Sequence, residues 1–229
     1  MKYCMLTELD ILTPSITEQI NLILLAENEH LQTVTAEYNE TSVSDLNHKY
    51  LALPECRDTI KIYWEDKKKI LAHFAGQELF DFKIHRMHQD LEDEIFNQLP
   101  AKIKNMPMPP YVRLQTMTNG DYIFPHQDTG NPASRDTTIT LITSVNHNIE
   151  TTWFWKVNEP HQIAAFTLPD IDKIERDVSC KLNDGETWLF DVHAIHSVER
   201  PLGHRANRRT TINFRWSTTP MSDIITALL

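Results

Sequence analysis

From Tyr111 to Trp216 the chain repeats one pattern: a short run of alternating apolar and polar residues, then a turn. The runs lie at 111–117, 122–128, 137–144, 151–157, 163–168, 187–192, 195–198 and 209–216. Their length and period are those of β-strands. Asn119-Gly120-Asp121 and Asn183-Asp184-Gly185 are turn signals between them. Many short strands at regular spacing predict two packed sheets, a sandwich or jelly roll. Helical periodicity is confined to the front of the chain. Ser15–Glu29 places Ile16, Ile20, Ile23 and Leu24 on one face, with Thr13 or Ser15 as cap. Lys67–Leu79 reads as a second helix. Gln89–Leu99 reads as a third, stopped by Pro100. Met106-Pro107-Met108-Pro109-Pro110 is a rigid connector. The expectation is one domain over 1–229: helical support and connector at 1–110, a jelly-roll core at 111–217, and a C-terminal tail at 218–229.

On that framework His126 and Asp128 stand two residues apart, and side chains at i and i+2 of a strand share a face. Two imidazoles and one carboxylate form the facial triad of a non-haem Fe(II) site, which leaves three coordination positions for chemistry. One strand cannot supply all three ligands, so the third comes from a later strand. The long gap from Asp128 to His196 leaves room for strands to go out and return. His193 competes with His196. Three residues apart, they cannot both face one metal from a straight strand, and the His196-Ser197-Val198 context favours His196. His193 is then an outer partner or simply exposed. His85 and His88 lie on a polar segment and are expected to be exposed rather than metal-binding.

Four segments carry a resemblance. They are Gly120-Asp121-Tyr122-Ile123-Phe124-Pro125-His126-Gln127-Asp128, Gly185-Glu186-Thr187-Trp188-Leu189-Phe190-Asp191, His196-Ser197-Val198 and Arg209-Thr210-Thr211. Together they resemble the 2-oxoglutarate/Fe(II)-dependent oxygenases, over roughly residues 111 to 217. Within that superfamily the Gly-Glu-x-Trp-x-x-Asp run and Arg135 are most similar to the aspartyl/asparaginyl hydroxylase and small prolyl hydroxylase branch. The resemblance implies a double-stranded β-helix (jelly roll) flanked by N-terminal helices. It implies Fe(II) on His126, Asp128 and His196, and 2-oxoglutarate as cosubstrate. It also implies that Arg209 and Thr211 hold the distal carboxylate, a task suited to the guanidinium fork. Arg208 and Arg205 are alternatives to Arg209. Arg135 would reach the metal-proximal carboxylate or the substrate, or be a salt-bridged loop residue. The family's usual histidine two residues on is Thr137 here. Met117 stands where many relatives have a tyrosine against 2-oxoglutarate, so Gln115, Arg113 or Tyr122 is expected to replace it. The implied reaction is hydroxylation of an unactivated C–H with O₂, coupled to oxidative decarboxylation of 2-oxoglutarate.

The last strand agrees with this by its two faces. Arg209, Thr211, Asn213 and Arg215 alternate with Thr210, Ile212, Phe214 and Trp216. The apolar set suits packing under the helices. The polar set suits a cavity holding a dicarboxylate, since burial without partners is costly. Trp153, Phe154 and Trp155 suit core packing or, less readily, a substrate mouth.

Composition narrows the partners. A chain of 229 residues buries about 70–75% of its unfolded surface, enough for a core without staples. Three scattered cysteines (Cys4, Cys56, Cys180) make no disulfide framework and suggest a reducing, cytoplasmic compartment. The first residues lack the pattern of a signal peptide, and no apolar run is long enough for a membrane span. A net charge of −10 disfavours non-specific nucleic-acid binding. The expected substrate is therefore a small molecule or peptide: an amino acid or a peptide side chain. The alternatives are an AlkB-like demethylase, for which Arg200, Arg205, Arg208 and Arg209 would meet a phosphate backbone, and a non-enzymatic jelly-roll binder.

Overall fold

The computed structural model describes residues 3–30, 77, 80–85, 87–126, 139–146, 149–157, 171–204, 208–216 and 219–229. Ten strands occur in it: β1 (Cys4–Leu6), β2 (Asp81–His85), β3 (Tyr111–Thr118), β4 (Tyr122–His126), β5 (Ile139–Ser144), β6 (Thr151–Val157), β7 (Ile174–Cys180), β8 (Thr187–Asp191), β9 (His196–Glu199) and β10 (Arg209–Trp216). The helices are α1 (Pro14–His30), α2 (Gln89–Asn97), α3 (Ala101–Lys104) and α4 (Met221–Leu228). None is long and apolar enough to cross a membrane.

The strands form two antiparallel sheets. The larger has the order β1-β8-β5-β10-β3-β2 and the smaller β4-β9-β6-β7. From β3 to β10 the chain steps from one sheet to the other at every connection except β6 to β7. That path is a double-stranded β-helix, a mostly β jelly roll flanked by helices.

The two faces of β10 explain the layering. Ile212, Phe214 and Trp216 join Leu114, Leu141 and Leu189 in the main core, with Ile16 and Ile20 of α1, Leu91 and Ile95 of α2, Ile103 of α3 and Ile224 of α4. Burying each such side chain stabilises the fold by roughly 1.5–3 kcal/mol. The opposite parity, Arg209, Thr211 and Asn213, is therefore turned between the sheets. Phe154, Cys180, Leu182, Phe190 and Val192 fill part of that inner space.

Local signals account for most boundaries. The Ile16 amide donates to Thr13 Oγ1 at 3.2 Å, so Thr13 is the cap of α1 and Pro14 takes the first helical position, where no amide is needed. Pro100 ends the turn after α2 and starts α3. Gly185 has a φ of +78°, and its turn is tied by Glu186, which accepts from the Asn183 amide at 2.9 Å and from Trp188 Nε1 at 3.0 Å. Asn119 (φ 43°) and Gly120 (φ 100°) make the tight turn by which the chain leaves β3 for the other sheet.

Several elements differ from expectation. β1, β2 and β7 carry no strong alternation of their own and owe their place to strand partners. The range 218–229 holds α4, whose Ile224 and Ala227 are buried. His85 is buried rather than exposed. Pairing of β2 on β3 brings its Nε2 within 2.8 Å of Thr116 Oγ1. His88 is exposed as expected. The strand expected at 163–168 lies outside the described residues, as does the helix at 67–79 apart from Gln77.

Candidate active site

His126 closes β4 and His196 opens β9, and the two are direct register partners. Their ring centroids are 4.4 Å apart with planes inclined by 45°. A register irregularity between Ile123 and His126 re-aims the end of β4. His196 Nδ1 lies 3.0 Å from the Ala194 carbonyl oxygen. A carbonyl can only accept, so Nδ1 carries the proton, and in the neutral ring Nε2 holds the lone pair. That tautomer suits a ligating histidine held by an outer hydrogen bond. Phe154 stands behind His196 at 6.2 Å between centroids.

His193 is exposed, and its amide donates to Asp191 Oδ1 at 3.1 Å, inside the turn before β9. Asp128 and Arg135 lie outside the described residues, as does Arg205. Among the described residues no group of three His, Cys, Asp or Glu side chains is placed to hold a metal. The donors present nevertheless fit Fe(II): two adjacent imidazoles, one with its tautomer set for ligation, at the end of the strand that leads to Asp128.

The second half of the site is on β10. Arg209 is buried, and its Nε has no hydrogen-bond partner among the described residues. Burial lowers its pKa and the Glu150 carboxylate opposes that shift; a guanidinium stays charged regardless. Thr211 shares its face. Asn213 Nδ2 donates to Thr211 Oγ1 at 3.0 Å, which leaves the hydroxyl proton for another acceptor. Arg209 and Thr211 thus offer two donors side by side, a receptacle for a carboxylate. Arg208 is half-buried, and its carbonyl accepts from Asn146 Nδ2 at 3.1 Å. Arg200 and Arg209 are both buried and cannot belong to a surface that meets a phosphate backbone.

Other candidates separate by face. Arg113, Gln115 and Met117 pair with Asn213, Thr211 and Arg209 and so line the same interior. Arg113 also stacks over the Tyr111 ring at 4.8 Å. Tyr122 is buried on the other side of the smaller sheet with Trp155, Ile171, Ile174 and Ile195. Trp155 Nε1 donates to Ser197 Oγ at 2.9 Å, and Trp153 lies under the Arg176 guanidinium at 4.8 Å. These two tryptophans are packing residues of the outer face, while Phe154 fills the interior.

Sequence reasoning placed Asn213 on the polar face of the last strand, but it did not single out Glu150 and it named Cys180 only as one of three scattered cysteines. Cys180 hydrogen-bonds the Cys4 thiol: that bond and burial raise the Cys180 pKa, and the same bond lowers that of Cys4 against the opposing effect of burial. No local motif marks Glu150 or Cys180; strand register brings them in.

No protein-family model and no curated protein matches the chain. Solved structures resemble it at low identity. The ribosomal oxygenase YcfD of Escherichia coli aligns over 65% of this chain and 37% of its own, at 9% identity and a TM-score of 0.37. SnoK, a non-haem α-ketoglutarate-dependent carbocyclase from nogalamycin biosynthesis, aligns over 69% of this chain and 74% of its own, at 13% identity and a TM-score of 0.37. A vicilin of hazelnut, Corylus avellana, aligns over 62% and 31%, at 10% identity and a TM-score of 0.33. The likeness is one of fold alone. This chain spans only about a third of the YcfD and vicilin chains.

Proposed function

We propose that this chain is a 2-oxoglutarate- and Fe(II)-dependent dioxygenase that hydroxylates an unactivated C–H of an amino acid or peptide side chain. The observation that carries the reading is the pairing of His126 with His196 at 4.4 Å, in the same interior as the buried, underpaired Arg209. His126, Asp128 and His196 would hold Fe(II), which supplies activation of O₂ and oxidation of the C–H bond, coupled to loss of CO₂ from 2-oxoglutarate.

The protein's own part is positioning. The Ala194 carbonyl fixes the His196 ring and its tautomer. Arg209 Nε and the Thr211 hydroxyl receive the distal carboxylate and orient the cosubstrate along the interior. Phe154, Phe190 and Val192 form an apolar wall that limits water. Arg135 is the candidate for the proximal carboxylate or the substrate. The amino-acyl hydroxylase assignment draws on the Gly185-Glu186-Thr187-Trp188 run and on the net charge of −10.

The test is to incubate iron-loaded protein with 2-oxoglutarate and a pool of amino acids, peptides and methylated oligonucleotides, and to read masses. A +16 Da product on an amino acid or peptide is expected, using the mass of one oxygen. Formaldehyde from methylated nucleic acid, with no oxidised amino acid or peptide, would replace this reading with demethylation. Binding of 2-oxoglutarate with no turnover of any pool member would favour a binding protein.

A further inference from the structure

Behind Arg209 lies a second buried arginine. Arg200 is 5% exposed and Glu150 3%. Arg200 Nε donates to Glu150 Oε1 at 2.8 Å, and Nη2 lies 2.6 Å from the same oxygen. Nη1 reaches the Gly120 carbonyl at 3.4 Å, and the guanidinium sits 4.6 Å from the Phe80 ring centre. Phe80 packs with Met117 and Val198, and Met117 is the register partner of Arg209. The Arg200–Glu150 pair and Arg209 therefore border one small apolar cluster. Register explains the pair: Thr151 of β6 faces Glu199 of β9, so the next residues outward, Glu150 and Arg200, meet.

The charges do not balance. Among the described residues three side chains act on Arg209: the Glu150 carboxylate and the Cys180 thiol support its charge and the Arg200 guanidinium opposes it. The buried Asp121 carboxylate is not among the groups that act on it. Among the described residues Glu150 and Arg200 offset each other and no further carboxylate offsets the charge of Arg209, in surroundings where a lone charge is costly. Glu150 Oε2 also has no hydrogen-bond partner among the described residues. Glu150 is thus a potential rival of any ligand carboxylate for Arg209, and Arg200 is what occupies it.

We propose that Glu150 and Arg200 form an internal counter-ion pair that sets the ligand charge at the deep end of the site, so that Arg209 accepts one carboxylate and no more. This rests on the reading of Arg209 as the cosubstrate anchor. Glu150 and Arg200 are positioning residues that act through Arg209. Without Arg200, the Glu150 carboxylate turns to Arg209 and competes with the ligand. Without the charge of Glu150, two cations face the same ligand carboxylate.

The test is anaerobic calorimetric titration of the Fe(II)-loaded protein with 2-oxoglutarate, and separately with succinate. Glu150→Gln is expected to bind both about tenfold more tightly, and Arg200→Gln about tenfold more weakly. The double variant regains the original charge count and is expected within about threefold of wild type. Arg200→Lys keeps the charge and stays close to wild type. A purely structural role weakens binding in all the Gln variants and cannot give this order. Should Arg200→Gln fail to fold by circular dichroism, the double variant must still bind about tenfold more weakly than Glu150→Gln. Weaker or unchanged binding by Glu150→Gln overturns the proposal, as does wild-type affinity in Arg200→Gln. Absence of any 2-oxoglutarate binding by the wild-type protein rejects instead the cosubstrate reading on which the proposal rests.

Discussion

His126 and His196 face each other as register partners across β4 and β9, with ring centroids 4.4 Å apart, whereas His193 points out from the preceding turn. His126→Ala and His196→Ala are each expected to lose Fe(II) binding and 2-oxoglutarate turnover. His193→Ala is expected to keep both. Anaerobic metal titration with parallel succinate assays decides. Retention of iron by His196→Ala together with its loss in His193→Ala would reassign the third ligand.

Arg209 and Thr211 present two donors to the interior, one of them the Nε that has no partner among the described residues. Arg209→Ala is expected to raise the 2-oxoglutarate dissociation constant about 10–100-fold, since a hydrogen bond to a charged group contributes about 1.5–3 kcal/mol. Arg209→Lys recovers only part of that, because an ammonium has no fork. Arg208→Ala is the control. Unchanged affinity in Arg209→Ala with loss in Arg208→Ala would move the anchor.

Gly185 holds a φ of +78° with no atom within 4 Å of where a Cβ would stand. Its replacement by Ala therefore meets backbone strain and no clash. The expected cost is about 1–2 kcal/mol. For a chain of this size that is a fall in Tm of about 2–8 °C. A larger fall in thermal denaturation would mean that the turn does more than reverse the chain.

Glu186 has its pKa lowered, first by the Asn183 amide, then by Trp188 Nε1 and the Asn183 side chain. A folded pKa below the unfolded value gives stability that is present above the unfolded pKa, about 4.3. It is lost as pH falls through the folded value. The group is largely solvated, so the effect is small. Glu186→Gln is expected to show a flatter fall in Tm between about pH 5 and pH 3 than wild type. Parallel acid limbs in the two proteins would show that the turn's hydrogen bonds survive protonation.

The Cys4 thiol is lowered by its hydrogen bond with Cys180, while the same bond and deeper burial push Cys180 up. The thiolate is the reactive form. Iodoacetamide at mildly alkaline pH is expected to modify Cys4 before Cys180, as read by peptide mapping. Cys180→Ala should slow the reaction of Cys4. Faster labelling of Cys180 would contradict the assigned direction.

Much of the architecture is legible locally. Period-two alternation located β3, β4, β5, β6, β8, β9 and β10 to within a few residues, because an inward and an outward face demand different side chains. The same alternation turned Arg209 and Thr211 inward and Ile212 and Phe214 toward the helices. β7, with exposed Glu175, Arg176 and Asp177, shows no such pattern and is a strand because β6 pairs with it. His85 on its polar segment read as exposed, and only docking of β2 on β3 buries it against Thr116.

By itself, then, the sequence determined the strand-rich core, the histidine spacing and the polar face of β10, since each depends on residues close together in the chain. Only the tertiary structure decided that His126 meets His196 and that Glu150 meets Arg200 beside Arg209. Those meetings depend on register between strands far apart in sequence. A shift of one residue in that register turns every side chain to the opposite face.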